Sequence, residues 1–170
     1  VSQIGYKTQA LPNMFVQQYG LYGDSMLVAG VLTLSLGGYA FVVPNEVDDI
    51  SVRFKDAPPG AYEYEYFRWA KAAALMPGSL AFYKPPWEYS EKLVNFSKKC
   101  IEAHRQHVPM MLELAKKHIQ DGSPIVRPMW FAEPNDPRAY KVVEQYMLGN
   151  DMVVITGYTF YLPTGEWIDA

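Results

Sequence analysis

The side chains able to do chemistry fall into a few groups. His104 and His107 stand three apart in one helical stretch that also carries His118, a spacing that sets two imidazoles on one helix face. Zinc needs three or four donors, and no third ligand lies close by in sequence, so the pair reads as surface histidines and no metal is expected. Cys100 is the only cysteine. It excludes an internal disulfide or a thiolate cluster and reads as a buried thiol. Gly23-Asp24-Ser25 precedes an apolar run, where an Asp or Ser side chain accepts from the first free amides of a helix; by spacing alone Asp24 is an N-cap. Glu46, Asp48 and Asp49 open a polar, proline-bearing connection from Asn45 to Gly60. It is longer than an ordinary strand-to-helix loop and therefore a candidate functional loop. Arg68 and Arg127 sit among hydrophobic residues, where a buried guanidinium is held by a partner, and Asp136 stands before Pro137 as a helix cap. These three have structural readings.

Those groups need elements to hold them. Met26 to Leu36 reads as a short buried helix ended by Gly37-Gly38, followed at once by an apolar strand, Tyr39 to Val43, closed by Pro44. Tyr62 to Met76 is helical by composition and stops at Pro77-Gly78; Leu80 to Tyr83 makes a short strand before Pro85-Pro86-Trp87. Ser90 caps a helix to about His107, a second helix starts around Pro109, and Gly122 ends it. A strand from Ile125 to Phe131, a helix from Asp136 to Leu148 and a strand from Met152 to Ile155 complete the order. Helices alternating with apolar strands predict an α/β fold, with the four strands parallel or in one curved, open sheet and the helices on one side.

Composition agrees with a globular α/β chain: 49% of the 170 residues are hydrophobic and 19% charged. No apolar run is long enough to span a bilayer. The net charge of −3 with no basic cluster excludes the electrostatic footprint of a nucleic-acid binder. Aromatics make up 15% of the chain, which suits sugar platforms and ordinary cores alike.

Several ordered motifs resemble one enzyme family. They are Gly122-Ser123-Pro124-Ile125-Val126-Arg127-Pro128-Met129-Trp130, answered by Tyr161-Leu162-Pro163-Thr164-Gly165-Glu166-Trp167-Ile168-Asp169, with Tyr66-Phe67-Arg68-Trp69 leading to Ala72 through Pro77, then Pro85-Pro86-Trp87, and Asp136 running to Gln145-Tyr146-Met147-Leu148-Gly149. Together these are similar to glycoside hydrolase family 31, retaining enzymes that cleave α-glycosidic bonds. Gly5-Tyr6-Lys7-Thr8-Gln9 favours the branch of the myogenesis-regulating-glycosidase-like proteins. The resemblance implies the C-terminal part of a (β/α)8 TIM barrel over residues 1–155, running into the start of a β-domain at 156–170. A complete barrel takes roughly 250 residues, so the chain reads as a piece of one. It begins at Val1 rather than Met and stops inside an apparent strand.

Such enzymes use two carboxyl groups about 5 Å apart, one attacking the anomeric carbon and the other protonating the leaving oxygen. By resemblance the nucleophile lies in an earlier segment with no counterpart here. Leu21-Tyr22-Gly23-Asp24-Ser25 is similar to the family's acid/base motif, which makes Asp24 the catalytic candidate and Tyr22, its aromatic neighbour, a substrate-binding candidate. Asn45 stands where the family has an aspartate that hydrogen-bonds the sugar, and Trp87, in a Pro-Pro-Trp loop after a strand, either lines a sugar subsite or covers the loop. The expected partner is an α-linked oligosaccharide or glycoside, with no cofactor. There are departures as well: residues the family carries after its Gly-Asp motif are missing, Asp48-Asp49 replaces Gly-Gly, and an arginine before the acid/base is represented by Gln17 or Gln18. A second shortening lies between Ile155 and Phe160. They leave a non-catalytic, glycosidase-like protein as the alternative. The family's compartments and an Asn95-Phe96-Ser97 sequon favour the secretory pathway.

Overall fold

The computed structural model describes residues 13–16, 28, 31–32, 35–36, 41–44, 61–78, 85–157 and 159–169. Strand β1 (Asn13–Val16) pairs in parallel with β2 (Phe41–Pro44), Asn13 opposite Phe41 and Val16 opposite Pro44. Between them residues 28, 31, 32, 35 and 36 are helical, within the expected Met26–Leu36 span. A helical crossover is what joins two parallel strands. Val28, Val31 and Leu32 enter the main core, and the Ser35 hydroxyl accepts a 3.2 Å hydrogen bond from the Val126 amide. β1 has no counterpart in the sequence reading, because four residues carry too little pattern.

Helix α1 (Ala61–Ala73) matches its expected span and turns off at Met76, whose amide reaches the Ala73 carbonyl at 3.0 Å. Carbonyls at a helix C-terminus lack partners in their own helix. Here side chains supply them: the Tyr146 hydroxyl donates to Ala72 O at 3.2 Å, and just past the end His104 Nδ1–H donates to Ala74 O at 2.9 Å. Lys71 Nζ binds Thr156 O at 3.2 Å. The alanines at 70, 72, 73 and 74 are buried, which lets neighbouring elements come that close.

Helix α2 (Glu91–Asp121) is continuous through Pro109, which corrects the two-helix expectation. Proline removes one amide donor but does not stop a helix anchored on both sides of it. Leu93 and Cys100 are buried before the proline, in a cluster with Tyr66; Met111 and Ala115 are buried after it, in the main core. The termini are as the sequence predicts. Ser90 Oγ accepts from Leu93 N at 3.1 Å, and Gly122 adopts φ 74° with its amide on His118 O at 2.8 Å.

The C-terminal third departs from the parallel-sheet expectation. β3 (Val126–Arg127), β4 (Gln145–Leu148) and β5 (Met152–Ile155) form an antiparallel meander, with Val126 opposite Leu148 and Leu148 opposite Met152. β3 is two residues long instead of running to Phe131, since Pro128 has no amide to give and the chain closes into a 3₁₀ turn, Met129–Phe131. The helix expected from Asp136 to Leu148 is a 3₁₀ turn, Ala139–Lys141, followed by β4. Three residues separate β4 from β5, too few for anything but an antiparallel return. Both faces of β4 are buried, Tyr146 and Leu148 in the main core and Met147 in a cluster with Met129 and Ala139. Asp136 before Pro137 predicts a helix start, and here that cap opens only a turn, its Oδ1 accepting from Arg138 N at 2.9 Å. The strand expected at Leu80 to Tyr83 and the loop from Asn45 to Gly60 lie outside the described residues.

Gly149 starts the hairpin turn at φ +64°, its amide bonded to Ile125 O at 2.9 Å. In Gly149→Ala the new Cβ would stand 2.7 Å from Leu114 Cδ2, a methyl that can swing aside. The left-handed backbone cannot relax, so the variant should lose about 1–2 kcal/mol, read as a lower midpoint in thermal unfolding. An unchanged midpoint would mean that the turn carries no strain.

Candidate functional site

Trp87 is the one sequence-predicted site residue among the described residues. It sits in a 3₁₀ turn, Pro86–Glu88, with 73% of its surface exposed. Its mounting is firm on the C-terminal side. The Tyr89 ring meets Tyr66 of α1 edge-on at 5.2 Å, and Ser90, which caps α2, donates to Glu63 of α1. Pro85 and Pro86 fix the backbone before it. The result is an exposed indole on a rigid base, a shape that can stack on the apolar face of a sugar ring. Asp24, Tyr22 and Asn45 lie outside the described residues.

Asp136 caps a turn, its Oδ1 accepting from Arg138 N at 2.9 Å. The same carboxylate takes the Arg138 guanidinium in a two-pronged pair and the Tyr161 hydroxyl at 2.9 Å. Hydrogen bonds from Arg138 hold the Asp136 carboxyl well below the usual carboxylate range. A group held ionised in this way cannot serve as a general acid near neutral pH, where the acid of a glycosidase needs a raised pKa. Its work is structural. Gln145, buried in β4, grips the Tyr161 backbone from both sides, Nε2 to Tyr161 O at 2.8 Å and Oε1 from Tyr161 N at 2.6 Å, while Glu133 accepts from Thr164 N at 2.8 Å. This clasp fastens the Tyr161–Trp167 segment to the meander. Nothing in local spacing announces it, because its partners are 16, 25 and 31 residues apart.

Arg127 is buried and bonds Pro124 O at 2.7 Å and the Asn150 side-chain carbonyl, with its guanidinium 5.3 Å from the Phe131 ring centre. The structural reading of Arg127 holds, but its direct partners are neutral rather than a carboxylate. Burial lowers its pKa, and the fields of Asp121 and Asp151 partly offset that. Arg68 lies in α1. Cys100 is a buried free thiol that burial pushes up to about 11, so it is no nucleophile. His104 and His107 spend Nδ1 on the carbonyls of Ala74 and Ala103, and among the described residues no three His, Cys, Asp or Glu side chains stand close enough to hold a metal. The groove along α2 is lined mostly by apolar residues, Pro109, Met110, Leu112, Ala115 and Ile119, and its two charged residues, Glu113 and Lys116, pair with each other at 2.6 Å. No described helix is long and apolar enough to cross a membrane.

The family model described as glycosyl hydrolase family 31 C-terminal domain matches residues 122–170, the stretch that holds the meander and the clasp. Along 97% of its length the chain is 31% identical to the myogenesis-regulating glycosidase of Mus musculus, of which it covers 25%. It is also 31% identical over 75% of its length to the SITS-binding protein of Tetronarce californica, covering 18% of that protein. The chain thus spans about a quarter or less of the curated relatives it matches. In three dimensions it follows a family 31 α-glucosidase from Bacteroides thetaiotaomicron with a TM-score of 0.68 at 22% identity, over 86% of this chain and 25% of that one. Such neighbours imply a family built from a TIM barrel with β-domains. The motifs, the family model over the C-terminal segment and the match of almost all of this chain to a quarter of a glycosidase converge on one likeness: residues 122–170 match the C-terminal domain of glycoside hydrolase family 31, and the chain is similar to members of that family along nearly its whole length.

Proposed function

We propose that this chain is a segment of a retaining α-glycosidase that hydrolyses terminal α-linked sugars, covering the last part of the catalytic barrel and the opening of the β-domain. In this reading the β-domain opens by residue 156, and the C-terminal-domain match over residues 122–170 together with the antiparallel meander inside it favours an earlier passage. The reading is carried by the 31% identity to a glycosidase along almost the whole chain. In the same reading Asp24 is the acid/base, and Tyr22, Asn45 and Trp87 contact the sugar. The exposed, rigidly mounted indole of Trp87 supports its place as a stacking surface.

The segment by itself should be inactive, because double displacement cannot start without the upstream nucleophile. The test is paired: the full-length protein and the 170-residue chain are each assayed on chromogenic α-glucoside and α-galactoside. Turnover with retained anomeric configuration by the full-length protein alone is expected. Turnover by the chain alone would overturn the assignment of the nucleophile to the missing part.

A second reading is a glycosidase-like protein that binds without catalysis. Asn45 in place of a sugar-bonding aspartate and the shortening after Asp24 favour it, as does likeness to a relative named for binding rather than hydrolysis. Sugar binding by the full-length protein without turnover on any α-glycoside would select it.

A further inference from the structure

We infer that Asn95 is an N-glycosylation acceptor, so that the chain matures in the lumen of the secretory pathway. The inference is independent of whether the barrel is catalytic. Asn95-Phe96-Ser97 is the single Asn-x-Ser/Thr triplet in the sequence. Its position inside α2 looks unfavourable, but transfer takes place on the extended chain before it folds. The folded state then has only to leave the asparagine in solvent.

The structure meets that requirement. Asn95 is exposed in the second turn of α2, on a stripe with Lys92, Lys98, Lys99 and Glu102, all exposed at three- and four-residue spacing. Leu93 and Ser97 face the other way and are buried. A glycan on Asn95 therefore projects from a charged face and displaces no packing among the described residues, while the Ser97 hydroxyl that licenses the transfer turns into the core once the helix forms. In the transfer itself Asn95 Nδ2 attacks the anomeric carbon of a polyprenyl-diphosphate-linked oligosaccharide. The carbon–oxygen bond to the diphosphate breaks, the lipid diphosphate leaves with that electron pair, and the amide gives up one proton.

The test uses the full-length protein purified from cells that make it naturally. Trypsin frees the peptide Leu93 to Lys98, bounded by Lys92 and Lys98. Its unmodified form should be absent before enzymatic deglycosylation and should return afterwards with aspartate at position 95. Expressed in the same cells, Asn95→Gln and Ser97→Ala should each abolish the modification, the second with the asparagine still present. Recovery of the unmodified wild-type peptide in full yield before deglycosylation would overturn the proposal, whether the site is skipped or the chain never enters the lumen.

Discussion

Replacing Asp24 with asparagine in the full-length protein should slow turnover by about 10²–10⁴-fold, the usual contribution of a general acid–base group. If Asp24 is the acid/base, both steps depend on it, protonation of the leaving oxygen in the first and activation of water in the second. Azide needs no general base, so it should restore part of the rate on a substrate whose leaving group departs unprotonated. A pure N-cap predicts another result. Asparagine caps a helix as well as aspartate does, and turnover and stability would then stay as they are. The two roles also pull on the carboxyl in opposite directions. A helix N-terminus favours the ionised form, whereas the acid must stay protonated, so apolar cover from Tyr22 has to outweigh the helix. Unchanged turnover in the asparagine variant would remove Asp24 from the mechanism.

The largest effect on stability is expected at Tyr146. Its ring is fully buried in the main core and its hydroxyl reaches Ala72 O. Tyr146→Ala should cost about 3–5 kcal/mol by lost burial and the cavity left behind, a large part of the stability of a domain this size. Tyr146→Phe keeps the ring and leaves the Ala72 carbonyl without that donor, for about 1–3 kcal/mol. Urea unfolding of both variants separates packing from hydrogen bonding. Equal losses in the two would show that the hydroxyl, and not the ring, carries the site.

Where a local rule decides the geometry, the sequence could be read directly. Ser90 and Gly122 bound α2 because capping chemistry is confined to a few neighbouring atoms. α1 is legible for a similar reason, as a run of good helix formers ended by Pro77-Gly78. β4 was not legible. Buried on both faces, it shows no alternation, and the turn at Gly149 that makes it a strand is a matter of φ rather than of composition. Pro109 misled in the opposite sense, since tertiary anchoring on either side outweighs one missing amide. The candidate site divides in the same way. The likeness to family 31 came from word order in the motifs, while the role of Asp136 as a clamp depends on Tyr161, 25 residues away, and no window-based reading joins the two.

The fastening of the α1 end has a consequence for how this part of the molecule comes apart. The Ala72 carbonyl belongs to one element and its donor, Tyr146, to another that lies 74 residues further on; Lys71 reaches 85 residues to Thr156, and His104 arrives from a third direction. Fraying of α1 from its C-terminus, the cheapest motion open to an isolated helix, therefore exposes buried donors in the sheet and in α2 at the same moment. Helix end, meander and long helix share a single opening cost, and this region should breathe as one cooperative unit with no soft end of its own.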